Sequence, residues 1–161
     1  MKSGNRKPWE LLTFSRSYFR DHSPFLCDLR AKLRTMEPKE DGYPYKTHLN
    51  ILHGPLEVVD VQKLADACTE KWWNQTLCKV NDSVVRLGVV QGEYHWHSHK
   101  DLDEFFYVVA GCFLIDLEDR TVDLAPGQGF VVAKGVRHRT RAPERTVILM
   151  VEREDIIPTG D

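Results

Sequence analysis

The sequence predicts an all-β protein that carries a helical extension at its N-terminus. From Cys78 onward, short apolar segments rich in valine, leucine and phenylalanine follow one another, and turn residues separate them at close intervals. This pattern is typical of an antiparallel barrel or sandwich, because parallel βαβ units would alternate strands with helical segments. The length of 161 residues allows one domain with a hydrophobic core and an appendage.

The predicted extension covers residues 1–46. Apolar residues lie at helical spacing before and after Pro24, and a linker with prolines, a glycine and mixed charge follows them. We expect the barrel domain to cover residues 47–161. Within it, one short helix is predicted at about residues 60–73, with Asp60 as its N-terminal cap.

Six strands are predicted in the second half of the chain. Glycine and proline mark the turns between them, and Ala110-Gly111 between two apolar segments predicts a hairpin. The predicted strands cover residues 84–90, 105–109, 112–117, 120–124, 130–133 and 147–152.

Composition and charge exclude several classes of partner. The net charge of −2 gives no basis for binding nucleic acid or an anionic membrane. No apolar run is long enough for a membrane span, and the first residues do not resemble a signal peptide. Four scattered cysteines without CxxC spacing are expected to be free thiols, which favours a cytoplasmic location.

The pair His97 and His99 is the strongest functional signal. Residues two apart on a β-strand point to the same face, so both imidazoles can contact one metal ion. Glu104 and His138 would complete a mixed nitrogen and oxygen ligand set that suits Fe, Mn, Ni, Cu, Co or Zn. Because His99 and Glu104 are five residues apart, the chain must turn within residues 100–103 for both to face the same ion.

These residues resemble the two sequence motifs of the cupin family. The run VNDSVVRLGVVQGEYHWHSHKDLDEFFYVVAG, from Val80 to Gly111, is similar to one found in small single-domain bacterial cupins, and the ending Thr159-Gly160-Asp161 is similar to theirs. The residues that match the first motif are Gly92, His97, His99, Glu104 and Gly111. Those that match the second are Gly127, Gly135 and His138.

The resemblance implies a cupin-type double-stranded β-helix, or jelly-roll barrel. It also implies one divalent transition metal, held by His97, His99, Glu104 and His138. His95 and His97 also form a His-x-His pair. The family allows three or four residues between the second histidine and the glutamate, and His99 to Glu104 leaves four. His95 therefore lies outside the predicted ligand set.

The chain departs from the family pattern at three places, none of which removes a ligand. Four residues instead of five separate Gly92 from His97. Ala133 replaces the usual proline, and Ala142 stands where an asparagine often occurs.

Four residues near the motifs are candidates for the substrate pocket, and none is singled out as catalytic. Phe106 shares the inward direction of Glu104, and an arginine such as Arg137 would suit a substrate carboxylate or phosphate. The pocket candidates are His95, Tyr94, Phe106 and Arg137. Other arginines, Arg86 and Arg139 among them, are expected to be solvated charges.

The leading hypothesis is a small metalloenzyme that acts on an organic substrate able to chelate the metal through two oxygens. Oxygen-dependent, dioxygenase-like chemistry is slightly favoured, because cupin dioxygenases use this ligand set. One alternative is an isomerase, epimerase or lyase for a sugar or sugar-phosphate-like substrate, and a phosphate would require several arginines or lysines in the pocket. The other is a non-catalytic cupin that binds a small molecule.

We also expect a homodimer. Small cupins are commonly dimers, and the apolar segment 49–59 would supply a strand for exchange that covers an open sheet edge.

Overall fold

The computed structural model describes residues 45–161, so nearly all of the predicted extension lies outside the described residues. The described part is built from β-strands and one short helix, as predicted. In chain order the elements are β1 (Lys46–His48), α1 (Val61–Ala67), β2 (Trp72–Val80), β3 (Ser83–Glu93), β4 (Glu104–Ala110), β5 (Phe113–Leu117), β6 (Thr121–Leu124), β7 (Gly129–Val132) and β8 (His138–Arg153).

Strand β8 holds the barrel together. Its C-terminal half pairs with β3 on one side and β4 on the other, while its N-terminal end pairs with β5. The strand order is β1-β2-β3-β8-β4-β7, and β5 and β6 continue from the other end of β8. The pairs are antiparallel apart from β1 with β2, which is parallel. This is the double-stranded β-helix that the sequence motifs imply.

Alternation along the strands divides each of them into an inward and an outward face. Inward residues such as Val90, Phe106 and Ile148 form the main core inside the barrel. A second cluster, which includes Leu77 and Leu87, packs beneath α1. The barrel interior is therefore mostly apolar, and polar side chains within it need a specific explanation.

The predicted helix at residues 60–73 is too long. Asp60 caps α1 as predicted, since its carboxylate accepts a hydrogen bond from the backbone N–H of Lys63 at 3.0 Å. The helix ends at Ala67, however, and Trp72 already pairs with Val90 as the first residue of β2. Pairing with β3 overrides the helical spacing, and β2 as a whole was missed by the sequence analysis.

The hairpin predicted at Ala110-Gly111 is also wrong. Strands β4 and β5 do not pair with each other, because each pairs with a different part of β8. Gly111 makes the corner between them with a φ of +92°. A Cβ at Gly111 would lie 2.5 Å from Thr146 Oγ1 and 2.8 Å from the carbonyl oxygen of Arg145. Only glycine fits this corner without displacing β8.

Three of the four cysteines lie among the described residues. Cys68 and Cys78 are free, whereas Cys112 is disulfide-bonded. This corrects the expectation of four free thiols, and Cys27 lies outside the described residues. Among residues 45–161, no helix is long and apolar enough to cross a membrane.

We predict that Gly111→Ala lowers the free energy of unfolding much more than Gly127→Ala does. Gly127 also has a positive φ, of +84°, but a Cβ there would have no heavy atom within 4 Å. The control should therefore cost only backbone strain, about 1–2 kcal/mol, and the corner variant should cost about 1–3 kcal/mol more through steric overlap. Urea denaturation of both variants measures the difference. Equal losses would contradict the steric account of the corner.

Candidate metal centre

His97 and His99 lie on an extended segment that follows β3. The segment pairs with β8 at a single position, where the backbone N–H of His97 donates to the carbonyl of His138 and the reverse bond is also made, each at 2.9 Å. The pair is therefore held by one bridge and not by a continuous strand, but its side chains converge as predicted. This single bridge thus brings together His97 and His138, which are 41 positions apart in the sequence.

The turn expected between His99 and Glu104 is present. Residues 100–103 form the connection, and Glu104 is the first residue of β4 with its side chain buried. On the other side, the backbone N–H of Gly135 donates to the carbonyl of His99 at 2.6 Å. Gly135 has a φ of +77°, which glycine adopts readily, so this turn closes over the histidine segment.

The four predicted ligands form one cluster. One nitrogen or oxygen atom from each of them lies within 4.8 Å of the others. Oε2 of Glu104 is 3.6 Å from Nε2 of His99 and 3.5 Å from Nε2 of His138. Three of its members are buried, with His138 fully inaccessible and His99 only 3% exposed, and His97 is half-buried.

Backbone carbonyls orient two of the imidazole rings. Nδ1 of His97 is 3.1 Å from the carbonyl oxygen of His95, and Nδ1 of His138 is 3.0 Å from that of Val136. A carbonyl oxygen only accepts, so Nδ1 carries the proton in both rings and Nε2 keeps a lone pair. This arrangement is the one by which second-shell groups fix the tautomer of metal-binding histidines.

The charges of the cluster suit a cation. Burial, aided by His138, lowers the pKa of His97 to about 4, so its ring is neutral and able to coordinate at neutral pH. Burial would raise the pKa of Glu104, but the interactions of its carboxylate with the His138 and His99 imidazoles outweigh burial and hold the pKa at about 2. Oε2 of Glu104 and Nε2 of His138 are buried and have no hydrogen-bond partner. These donors therefore fit a divalent transition metal.

The last residues of the chain pack directly against the cluster. A Cβ on Gly160 would lie 2.8 Å from Cβ of His97 and 2.9 Å from the carbonyl oxygen of Ser98. The backbone N–H of Asp161 donates to that same carbonyl at 3.1 Å, and Oδ1 of Asp161 is 3.8 Å from Nδ1 of His99. The sequence analysis noted this ending only as a family likeness and assigned it no role.

A cavity extends from the cluster into the barrel, with an empty volume of about 440 Å³ that includes its mouth. His97 and Glu104 line one part of it, so a ligand in the cavity would contact the ligand set. Tyr94 and Phe106, two of the four pocket candidates, also line it.

The other two pocket candidates, His95 and Arg137, do not line this cavity. His95 is not among the residues that line the cavity, and its Nε2–H donates to the carbonyl of Thr159 at 3.0 Å. Arg137 is exposed, with its guanidinium 5.3 Å from the centre of the Trp96 ring and 3.9 Å from Glu118. Arg137 lies just before β8, which begins at His138.

The sequence analysis missed a buried contact between an arginine and a glutamate in the cavity wall. Arg86 was expected to be a solvated charge, but it is 3% exposed and its Nη1 lies 2.5 Å from Oε1 of Glu152. Its Nε donates to Oγ1 of Thr76 at 3.1 Å. Burial and the nearby Glu104 raise the pKa of Glu152 to about 8, against the effect of Arg86. Arg86 and Val90 are four residues apart on β3, so their side chains point to the same face of the strand. This spacing could have placed Arg86 in the barrel interior.

Comparisons with known proteins agree with this architecture. The family profile described as Cupin domain matches residues 84–152. The uncharacterized protein YdbB of Bacillus subtilis (strain 168) is 46% identical over 90 residues, which are 55% of this chain and 80% of that protein. Protein SchB of Streptomyces halstedii is 46% identical over 59 residues, 37% of this chain and 41% of that one.

A solved structure gives the same result. The crystal structure of a cupin-2 domain containing protein from Shewanella frigidimarina NCIMB 400 is 31% identical, with a TM-score of 0.58. The alignment covers 60% of this chain and 94% of that chain. Together with the two motifs and the barrel topology, these similarities identify the chain as a member of the cupin family.

Proposed function

We propose that the protein is a metal-dependent enzyme for a small organic substrate that chelates the metal through two oxygens. The observation that carries this proposal is the convergence of His97, His99, Glu104 and His138 beside a cavity that two of them, His97 and Glu104, line. Two of the four donor atoms, on Glu104 and His138, are buried without a hydrogen-bond partner. Unpartnered buried atoms are costly, and a metal ion would satisfy both.

A divalent transition metal held by these four groups would supply Lewis-acid activation and one or two positions for substrate oxygen or dioxygen. The chain itself would orient the ligands and exclude water. Phe106 and Ile148 provide an apolar wall, and backbone carbonyls fix the rings of His97 and His138. Such an enclosed site strengthens the interaction between charges and a bound substrate.

Oxygen-dependent chemistry remains the favoured reaction, because the ligand set is the one that cupin dioxygenases use. Isomerase, epimerase or lyase chemistry is the second candidate, and polar atoms on the cavity wall favour a hydroxylated substrate for it. A sugar phosphate is not favoured. Among the described residues that line the cavity, Arg86 is the one arginine and there is no lysine. In the third alternative, non-catalytic binding, a ligand would bind without a metal.

We propose a homodimer as well. The segment after β1 runs along β2 with two hydrogen bonds, from Leu52 N–H to the Thr76 carbonyl at 3.2 Å and from His53 N–H to the Leu77 carbonyl at 2.8 Å. Its apolar side chains are exposed, Leu56 and Val58 most of all. A second copy would bury them. Light scattering should give twice the chain mass, and the mass of one chain would contradict the proposal.

The metal proposal predicts that the purified protein binds about one equivalent of a divalent transition metal. His97→Ala and His138→Ala should each lose most of it, because each removes a ligand from the cluster, whereas the exposed His48→Ala should keep it. Elemental analysis after dialysis against each candidate metal measures the content. Ligand binding by a metal-free protein with both histidines replaced would contradict the enzyme proposal.

The metal-loaded protein should then consume oxygen with at least one member of a panel of diketones, flavonols and hydroxy acids. The reason is that a chelating substrate and dioxygen would bind side by side at the same ion. An oxygen electrode records uptake, with the His138→Ala variant as the inactive control. Turnover of sugars or hydroxy acids under strict anaerobiosis would reject the dioxygenase and support the isomerase or lyase alternative.

We predict that Asp161→Asn weakens metal binding by about tenfold. This is the lower end of the loss that is typical when a residue that supports a metal ligand is replaced. The substitution keeps an oxygen for the backbone N–H of Lys100, 3.3 Å away, but removes the charge that faces Nδ1 of His99. Asp155→Asn, on an exposed side chain paired with Arg153, is the control. Competition with a chelating dye measures the affinity, and unchanged binding in Asp161→Asn would show that the tail only packs.

A further inference from the structure

One wall of the cavity carries polar atoms that the metal ligands do not explain. Trp72 and Asn74 lie on β2, and strands β3 and β8 separate β2 from β4, which carries Glu104. Trp72 is 7% exposed, and its indole N–H has no hydrogen-bond partner. Oδ1 of Asn74 is likewise buried without a partner. Both residues line the cavity.

The fold leaves room in front of these atoms. Gly88 pairs with Asn74 across β2 and β3, and a Cβ on Gly88 would lie 3.1 Å from Oδ1 of Asn74 and 2.8 Å from Cγ1 of Ile148. Any other residue at this position would crowd the amide oxygen. The glycine therefore keeps the polar wall open to the cavity.

The chemistry of the wall selects among possible ligand groups. An indole N–H only donates and an amide oxygen only accepts, so a group that does both satisfies the two atoms together. A hydroxyl group meets this requirement, whereas a carboxylate would face the amide oxygen and an ammonium would face the indole N–H. A phosphate would need a free cation, but Arg86, the one arginine of the described lining, is paired with Glu152 at 2.5 Å.

We propose that Trp72 and Asn74 form a subsite for substrate hydroxyl groups, so that the substrate is a small polyhydroxylated acid or sugar derivative without a phosphate. This inference rests on the proposed function, because the chelating end of the substrate would bind at the metal. Both residues line the same cavity as His97 and Glu104, so one ligand could contact the subsite and the ligand set. The subsite would orient the substrate by its far end and set specificity.

The test uses three four-carbon acids with the same chelating α-hydroxy acid group. They are 2-hydroxybutyrate, erythronate with two further hydroxyls, and 4-phosphoerythronate. Each is titrated into the cobalt(II)-loaded protein, and the visible absorption of the cobalt ion reports binding. We expect erythronate to bind about tenfold more tightly than 2-hydroxybutyrate, which corresponds to about 1.4 kcal/mol and is within reach of one or two hydrogen bonds. We expect 4-phosphoerythronate to lose that advantage.

Variants then locate the effect. Trp72→Phe keeps an aromatic ring but removes the N–H, and Asn74→Leu removes the amide. Each should reduce the preference for erythronate over 2-hydroxybutyrate severalfold, and unchanged affinity for cobalt(II) shows that the barrel is intact. Trp73→Phe is the matched control, because Trp73 is the next residue of β2 and packs against the cluster beneath α1.

The outcomes separate the two proposals. If cobalt(II) binds and 2-hydroxybutyrate changes its spectrum but erythronate binds no more tightly, the hydroxyl subsite is wrong and the metal proposal stands. A preference that survives in both Trp72→Phe and Asn74→Leu would also overturn the subsite. If cobalt(II) does not bind at all, the proposed function itself fails.

Discussion

The backbone bridge between His97 and His138 is the contact on which the candidate centre depends. Two hydrogen bonds of 2.9 Å fix the extended segment of the first motif against the start of β8. They place two imidazoles with ring centres 4.3 Å apart, and the turn at Gly135 holds His99 beside them. Without this bridge, the histidines would lie on separate parts of the barrel wall.

The start of β8 is held in turn by a buried carboxylate. Asp116 on β5 accepts hydrogen bonds from Arg139 at 2.8 Å and from Arg141 at 2.6 and 2.7 Å. Burial opposes its ionisation, but the two guanidiniums and Thr121 outweigh burial and hold the pKa of Asp116 at about 2. Charge-assisted bonds of this kind are among the stronger polar contacts in proteins. They keep the strand that carries His138 in register with β5.

Polar groups inside the barrel fall into three sets. Glu104 and the histidines face each other and are arranged for a cation. Arg86 and Glu152 contact each other within the wall, so the guanidinium that a phosphate would need already has a partner. The remaining polar atoms of the wall, on Trp72 and Asn74, are suited to uncharged groups. The cavity therefore combines one strongly coordinating end with one that offers only hydrogen bonds.

The sequence by itself determined the barrel, most of its strands and the set of four candidate ligands. Spacing was sufficient for the strands and for the turn after His99, because alternation along a strand is a local property. The resemblance to the cupin motifs was needed to add His138, which is remote from the other candidate ligands in the sequence. The same local properties misplaced the helix beyond Ala67 and suggested a hairpin at Gly111, since pairing with β3 and β8 is not visible in the spacing.

Only the tertiary structure decided how the pocket is built. Arg86 and Glu152 are far apart in sequence, and each looks like an ordinary surface charge until β3 and β8 pair and bury them together. The packing of Gly160 and Asp161 against the histidines likewise depends on the path of the chain after β8. Which residues line a cavity depends on which strands meet, and that is settled by long-range pairing and not by local pattern.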